Sequence, residues 1–213
     1  MRFSSALSIF VLAIAGCAGA DGETKPGWQA GKEGVKDVSS GTEAEKLFPM
    51  IDGHIYHYKT ELLGEGPAAG SGALMMKMHR SSSTAGELRR PAGTQRFEYT
   101  PAGIATTTKA GAPAFLLKMP LDPANRWVGP HGGQTRVAAT GITATTQAGT
   151  FKDCVSTLEE RGGDTPMRVS TTLCPGVGIV ALEVQSGAAV ERAELVYYGP
   201  PVDIGPEGLK RVE

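Results

Sequence analysis

Beyond about position 47 the chain alternates apolar and polar residues at the two-residue period of a half-buried strand. The segments 54–62, 73–79, 95–99, 104–109, 115–119, 136–140, 142–146, 151–158, 168–173, 177–184 and 193–198 show that alternation or are rich in β-forming residues. Turn-forming sequences separate them, among them Gly64-Glu65-Gly66-Pro67, Pro101-Ala102-Gly103, Gly111-Ala112-Pro113, Gly132-Gly133, Gly162-Gly163-Asp164 and Ser186-Gly187. Strands at this spacing with short connections predict an all-β domain folded as an antiparallel meander of hairpins. No helical pattern alternates with the strands, so nothing points to a parallel sheet.

The first 46 positions read differently. An apolar run over 6–15 follows Arg2, and a polar, glycine-rich stretch then extends to about position 45, with room for one helical turn near 43–47. The polar stretch lacks the apolar spacing that a core needs and reads as a flexible tether. The expected organisation is a signal segment over 1–16, a tether over 17–46, a β domain over 47–199 and an irregular surface tail over 200–213. The tail contains Pro200, Pro201 and Pro206.

The apolar run is too short to cross a hydrocarbon core, which takes about 20 residues. Behind a basic residue it reads instead as the hydrophobic region of an export signal. That signal ends in Leu12-Ala13-Ile14-Ala15-Gly16-Cys17, which resembles the bacterial lipobox of an aliphatic residue, two small residues and cysteine. The resemblance implies cleavage between Gly16 and Cys17, a thioether-linked diacylglycerol on the Cys17 thiol, and acylation of the new amino group. Two or three acyl chains hold a protein to a bilayer far more firmly than one. The competing reading is an ordinary secretory signal with a chance cysteine, cut near the same small residues. Ala18 follows the cysteine where Asp does not, which in many diderm bacteria implies sorting to the outer membrane.

Composition narrows the partners. The 213 residues carry a formal net charge of -1, with 20% charged residues, 29 Gly and 14 Pro. Basic residues are scattered rather than clustered, so no electrostatic footprint for nucleic acid is present. The glycine, proline, threonine and alanine content favours short strands and many turns.

Four blocks in order resemble a family of uncharacterised bacterial secreted proteins and lipoproteins that includes the TapB-like proteins. The first is Phe48-Pro49-Met50-Ile51-Asp52-Gly53-His54-Ile55-Tyr56-His57-Tyr58, with Tyr56 in a position usually held by Trp. The second is Leu117-Lys118-Met119-Pro120-Leu121, running on to Trp127, with Ala124 where Gly is usual. The third is Ala148-Gly149-Thr150-Phe151-Lys152-Asp153-Cys154, and the fourth is Cys174-Pro175-Gly176-Val177-Gly178-Ile179-Val180. The resemblance spans most of the domain and implies a curved antiparallel sheet, half-barrel or open barrel. It brings no activity and no catalytic residues. Physically the blocks look like scaffold: Pro49, Gly149, Gly176 and Gly178 suit turns or unusual backbone angles. Tyr56, Tyr58, Trp127 and Phe151 offer large apolar surfaces to a core, and alternatively could line a site for an apolar ligand.

With Cys17 set aside, Cys154 and Cys174 form an even pair, twenty positions apart on neighbouring predicted strands. In an oxidising compartment they are expected to form a disulfide, the alternative being two buried thiols. Met75-Met76-Lys77-Met78-His79 could be read as a soft metal site, but on a strand its sulfurs divide between two faces, which favours core packing. His54 and His57 fall on opposite faces, and His131 sits in a glycine-rich loop with no evident partner. Ser81-Ser82-Ser83-Thr84 reads as a polar loop, and Glu159-Glu160-Arg161 as a solvated strand end. No nucleophile elbow, metal-ligand spacing or phosphate-cradling loop is present, so no cofactor or metal is expected.

The sequence therefore leads to a non-enzymatic envelope protein, tied to a membrane through Cys17 and acting as a structural or interaction module for another envelope protein. The second reading is a carrier or sensor that cups an apolar small molecule in the concave face of the sheet.

Overall fold

The computed structural model describes residues 41–63, 69–205 and 208–211; the lipobox, with Gly16 and Cys17, lies outside them. A short helix, α1 (Glu43–Leu47), opens the fold. Thr42 caps it through a capping box: its hydroxyl accepts the Glu45 N–H, and the Glu45 carboxylate accepts the Thr42 N–H at 2.8 Å. Ala44 and Leu47, three apart on one face, are buried in the core. Packing thus begins a few residues before position 47, inside the segment read as tether.

One meander comprises β1 (Ile55–Leu63), β2 (Gly70–Arg80), β3 (Ala85–Arg90), β4 (Gly93–Thr100), β5 (Gly103–Thr107) and β6 (Pro113–Lys118). A second comprises β7 (Trp127–Val128), β8 (Gln134–Thr146), β9 (Gly149–Arg161), β10 (Met167–Cys174), β11 (Gly178–Ser186) and β12 (Ala189–Gly199). Antiparallel pairing of β1 with β12 fuses the two into one 12-stranded sheet, in the order β6-β5-β4-β3-β2-β1-β12-β11-β10-β9-β8-β7. The sheet curls until β6 and β7 approach each other, so it forms a barrel open along one seam. Within the twelve, β6 and β7 are the consecutive strands that do not pair.

Two of these elements escape the alternation pattern. Strand β3 carries one large apolar residue, Leu88, with Glu87, Arg89 and Arg90 around it, and its other inward position is Gly86. A Cβ there would come within 2.9 Å of the Met50 sulfur, so the glycine makes room for a side chain from elsewhere. Strand β7 is two residues long. The segments 136–140 and 142–146, read as two strands, are one strand, β8, bent where Gly141 takes φ 66° and the register with β9 slips. The tail is also more regular than expected: β13 (Val202–Gly205) and β14 (Gly208–Arg211) pair as a two-stranded hairpin.

Inward residues from both meanders fill the barrel, including Tyr56, Tyr58, Met78, Phe97, Ile104, Leu117, Val137, Leu173, Val180 and Leu195. The segment after α1 inserts Phe48 and Met50 among them. Tyr99 fixes that insertion: its hydroxyl donates to the Phe48 carbonyl at 2.7 Å and accepts the Met50 N–H at 2.9 Å. The Phe48 ring packs 4.8 Å from that of Phe97 and against the α-carbon side of Gly178. Gly178 and Gly176 adopt φ 102° and 77°, left-handed angles that a side chain would strain.

Candidate functional site

The most unusual chemistry lies beside the seam. Strands β7 and β8 are joined by Gly129-Pro130-His131-Gly132-Gly133, a turn closed by two backbone hydrogen bonds between Gly129 and its partners Gly132 and Gly133, each 2.9 Å. Gly132 has φ 81°, which exposes successive N–H groups to one side of the turn. Glu159 of β9 reaches into that concavity. Its Oε1 accepts the N–H groups of His131 at 3.0 Å and Gly133 at 2.7 Å, and its Oε2 lies 3.0 Å from His131 Nδ1. The Arg161 guanidinium donates to the His131 carbonyl at 3.2 Å.

Glu159 is the one charged residue among the buried polar side chains described, only 3% exposed. A buried carboxylate is tolerated when its lone pairs are occupied by donors, and the turn supplies them. Thr135, paired with Glu159 and with Trp127, is also buried, and its hydroxyl has no hydrogen-bond partner among the described residues. A Cβ on Gly129 would collide with both the Thr135 hydroxyl and the Glu159 carboxylate, so the turn closes over these groups because position 129 is glycine.

The expectation of a solvated strand end at 159–161 is therefore corrected. Glu160 and Arg161 are exposed, but Glu159 shares the inward phase of Val155 and Thr157 on β9. His131 likewise has a partner. The signal was the inward phase of Glu159; its counter-groups, backbone N–H donors of a remote turn, leave no trace in residue type.

The pair orients an imidazole whose side chain is 37% exposed, and it ties the turn to β9. The turn in turn carries Trp127, whose indole N–H donates across the seam to the Phe115 carbonyl of β6 at 3.0 Å.

Three of the four aromatic residues considered as ligand-lining are buried in the core. Tyr56 and Tyr58 are each 3% exposed and Trp127 4%, all within the filled interior. The Tyr58 hydroxyl donates to the Ile179 carbonyl at 2.8 Å. Burial pushes the phenol pKa of both tyrosines far up, reinforced for Tyr58 by Tyr56 and for Tyr56 by Tyr99 and Tyr198. Phe151 is half-buried, its ring edge-on to Tyr198 at 6.1 Å. The two surface depressions described lie elsewhere. One of about 290 Å³ is on the outer face near Leu158, Arg168 and Glu183, and one of about 440 Å³ lies between α1, Leu121 and Val155. Neither is lined by any of the four aromatics.

Cys154 and Cys174 are joined in a disulfide, fully buried, with Cα atoms 4.2 Å apart, one step beyond the Leu173–Val155 pair of the β9–β10 ladder. The methionine run divides by face. Met78 is fully buried and Met76 packs on the core, whereas Met75 is 56% exposed, so core packing does not account for it. His79 pairs with Asp52 at 3.3 Å, and Asp52 also accepts the Arg80 N–H, an interaction that lowers its pKa. His54 is half-buried and its pKa is lowered by that burial; among the described residues no three His, Cys, Asp or Glu converge as metal ligands. Ser82 caps the β2–β3 turn through its hydroxyl, which accepts the Ala85 N–H at 3.0 Å.

No family model matches the sequence, and no curated protein matches it. Solved structures are similar at low identity. One is a candidate lipoprotein from Parabacteroides distasonis, 12% identical, with a TM-score of 0.47 over 72% of this chain and 98% of that one. Another is a candidate exported protein with a YmcC-like fold from Bacteroides fragilis, 11% identical, with a TM-score of 0.47 over the same shares.

Proposed function

We propose that this chain is a lipid-anchored protein of the bacterial cell envelope whose β domain acts as a non-enzymatic structural or interaction module. The observation that carries the reading is the lipobox-like Leu12-Ala13-Ile14-Ala15-Gly16-Cys17 behind a short apolar run. A signal of this form directs diacylglycerol to Cys17, and Ala18 favours the outer membrane. What supports the non-enzymatic role is how the polar groups of the domain are used. Glu159 holds a turn, Tyr58 and Tyr99 bridge the backbone, and the large aromatics fill the interior. A module of this kind offers its partner an outer surface carried on a rigid, crosslinked sheet.

Cys17→Ser is the test. The parent protein is expected in the membrane fraction, with an intact mass that includes acyl chains, and the variant in the soluble fraction. A parent protein with an unmodified Cys17, or a variant that stays with the membrane, would overturn the anchor.

A further inference from the structure

We propose that the segment from Trp127 to Gly133 is a flap that closes a cryptic apolar site at the barrel seam, with Glu159 as its latch. This inference is independent of the anchor, because it concerns the folded domain alone.

Strand β7 is attached weakly for a member of a 12-stranded sheet. It pairs with β8 through Trp127–Thr135 and Val128–Gln134 only. On its other side the hydrogen bond described is from a side chain, Trp127 Nε1 to the Phe115 carbonyl. The turn is held chiefly by the Glu159 carboxylate, through two N–H donors and the His131 ring. Those bonds end on a carboxylate, and the one from Gly133 is buried, so they are the strongest ties the flap has. Loss of a few interactions clustered on one side chain is enough to release it.

The closed state is also imperfect. The buried Thr135 hydroxyl has no partner among the described residues while the flap is down, and water could satisfy it once the flap lifts. One group thus favours closure and its neighbour opposes it, which is how a minor open state becomes populated. Three glycines, Gly129, Gly132 and Gly133, leave the turn free to change its backbone angles.

Opening withdraws the Trp127 indole from the interior. Leu116 of β6 and Val137 of β8, both buried and apolar, belong to the same core cluster as Trp127 and would wall the vacated space. The site would take an uncharged, apolar guest of about the size of an indole or a short hydrocarbon segment. Such a guest competes with Trp127 for the same walls and favours the open state by mass action.

The test uses the full chain carrying Cys17→Ser, so that neither detergent nor acyl chains compete with the probe. Hydrogen exchange is followed by mass spectrometry, and binding by the fluorescence of N-phenyl-1-naphthylamine. Glu159→Gln keeps the size of the side chain but removes the charge; it is expected to speed exchange at 127–135 by about tenfold or more. Strands β10 to β12 should be unchanged, and uptake of the probe should rise. Thr135→Val removes the unsatisfied hydroxyl and is expected to act in the opposite sense, slowing exchange over 127–135 and reducing uptake. The opposing signs keep the inference testable even where Glu159→Gln fails to fold. Equal acceleration across the whole sheet, no slowing in Thr135→Val, or faster flap exchange without more probe bound would each overturn it.

Discussion

The Trp127 indole N–H meets the Phe115 carbonyl at 3.0 Å, across the line where the barrel's strands do not pair. Everywhere else in the sheet, backbone ladders join neighbouring strands. Here a side chain does so, because β7 is only two residues long and the connection over 119–126 separates it from β6. The indole therefore has two roles: its ring fills the core and its polar edge ties the seam.

Trp127→Phe keeps most of the apolar volume and removes that donor. A hydrogen bond of this kind contributes about 1 kcal/mol, and the unpaired carbonyl adds to the loss. The melting temperature is expected to fall by about 2–4 °C per kcal/mol lost for a domain of this size. Calorimetry showing an unchanged midpoint would mean that the tie contributes nothing to stability.

The Cys154–Cys174 bridge closes a loop with a sequence separation of 20. On the loop-entropy account a crosslink of that span stabilises the fold by about 3 kcal/mol. Cys154→Ala with Cys174→Ala, or reduction of the parent, should lower the denaturant midpoint accordingly. Non-reducing peptide mapping should recover the two cysteines in one linked peptide; free alkylation of both in the oxidised native protein would remove the bridge from consideration.

Alkaline pH should expose the cost of burying Tyr56 and Tyr58. Their folded pKa values lie above the ordinary phenol value of 10.0, primarily through desolvation. The sign follows from linkage: their contribution is fully present below about pH 10, where the unfolded chain is also protonated, and is lost progressively as pH rises above it. Of the five tyrosines, these two should ionise only as the protein unfolds. A spectrophotometric titration in which all five ionise reversibly near pH 10 without loss of β structure would contradict their burial.

Gly129→Ala places a methyl group against the Thr135 hydroxyl and the Glu159 carboxylate. Overpacking of this kind costs about 1–3 kcal/mol. Gly162→Ala is the control, since a Cβ there has nothing within 4 Å; a change within about 0.5 kcal/mol is expected. Equal stability of the two variants in chemical denaturation would show that the turn does not close tightly over Glu159.

Much of the fold was legible because its rules are local. Alternation at period two fixed which face of each long strand turns inward, as at Tyr56 and Tyr58 or Val169, Thr171 and Leu173. A helical turn was expected near 43–47, and the structure adds the capping box of Thr42 and Glu45 that starts it. Strand β3 stayed hidden because Gly86 gives its inward space to Met50 and Met78, so the apolar residue that would have marked it belongs to other elements. Glu159 was misread for a related reason. A carboxylate is taken as exposed unless a counter-charge is visible, and here its main partners are backbone N–H groups 26 and 28 residues away.

By itself, the sequence determined the all-β class and the antiparallel meander and led to the expectation of a Cys154–Cys174 bridge, because each follows from residues close in sequence or from a simple parity. Only the tertiary structure decided that β1 joins β12, that β6 and β7 leave a seam, and that the turn beside it closes on a buried carboxylate. Those features depend on how far a twisted sheet must curl before its ends meet, a property of all twelve strands together that no local pattern encodes.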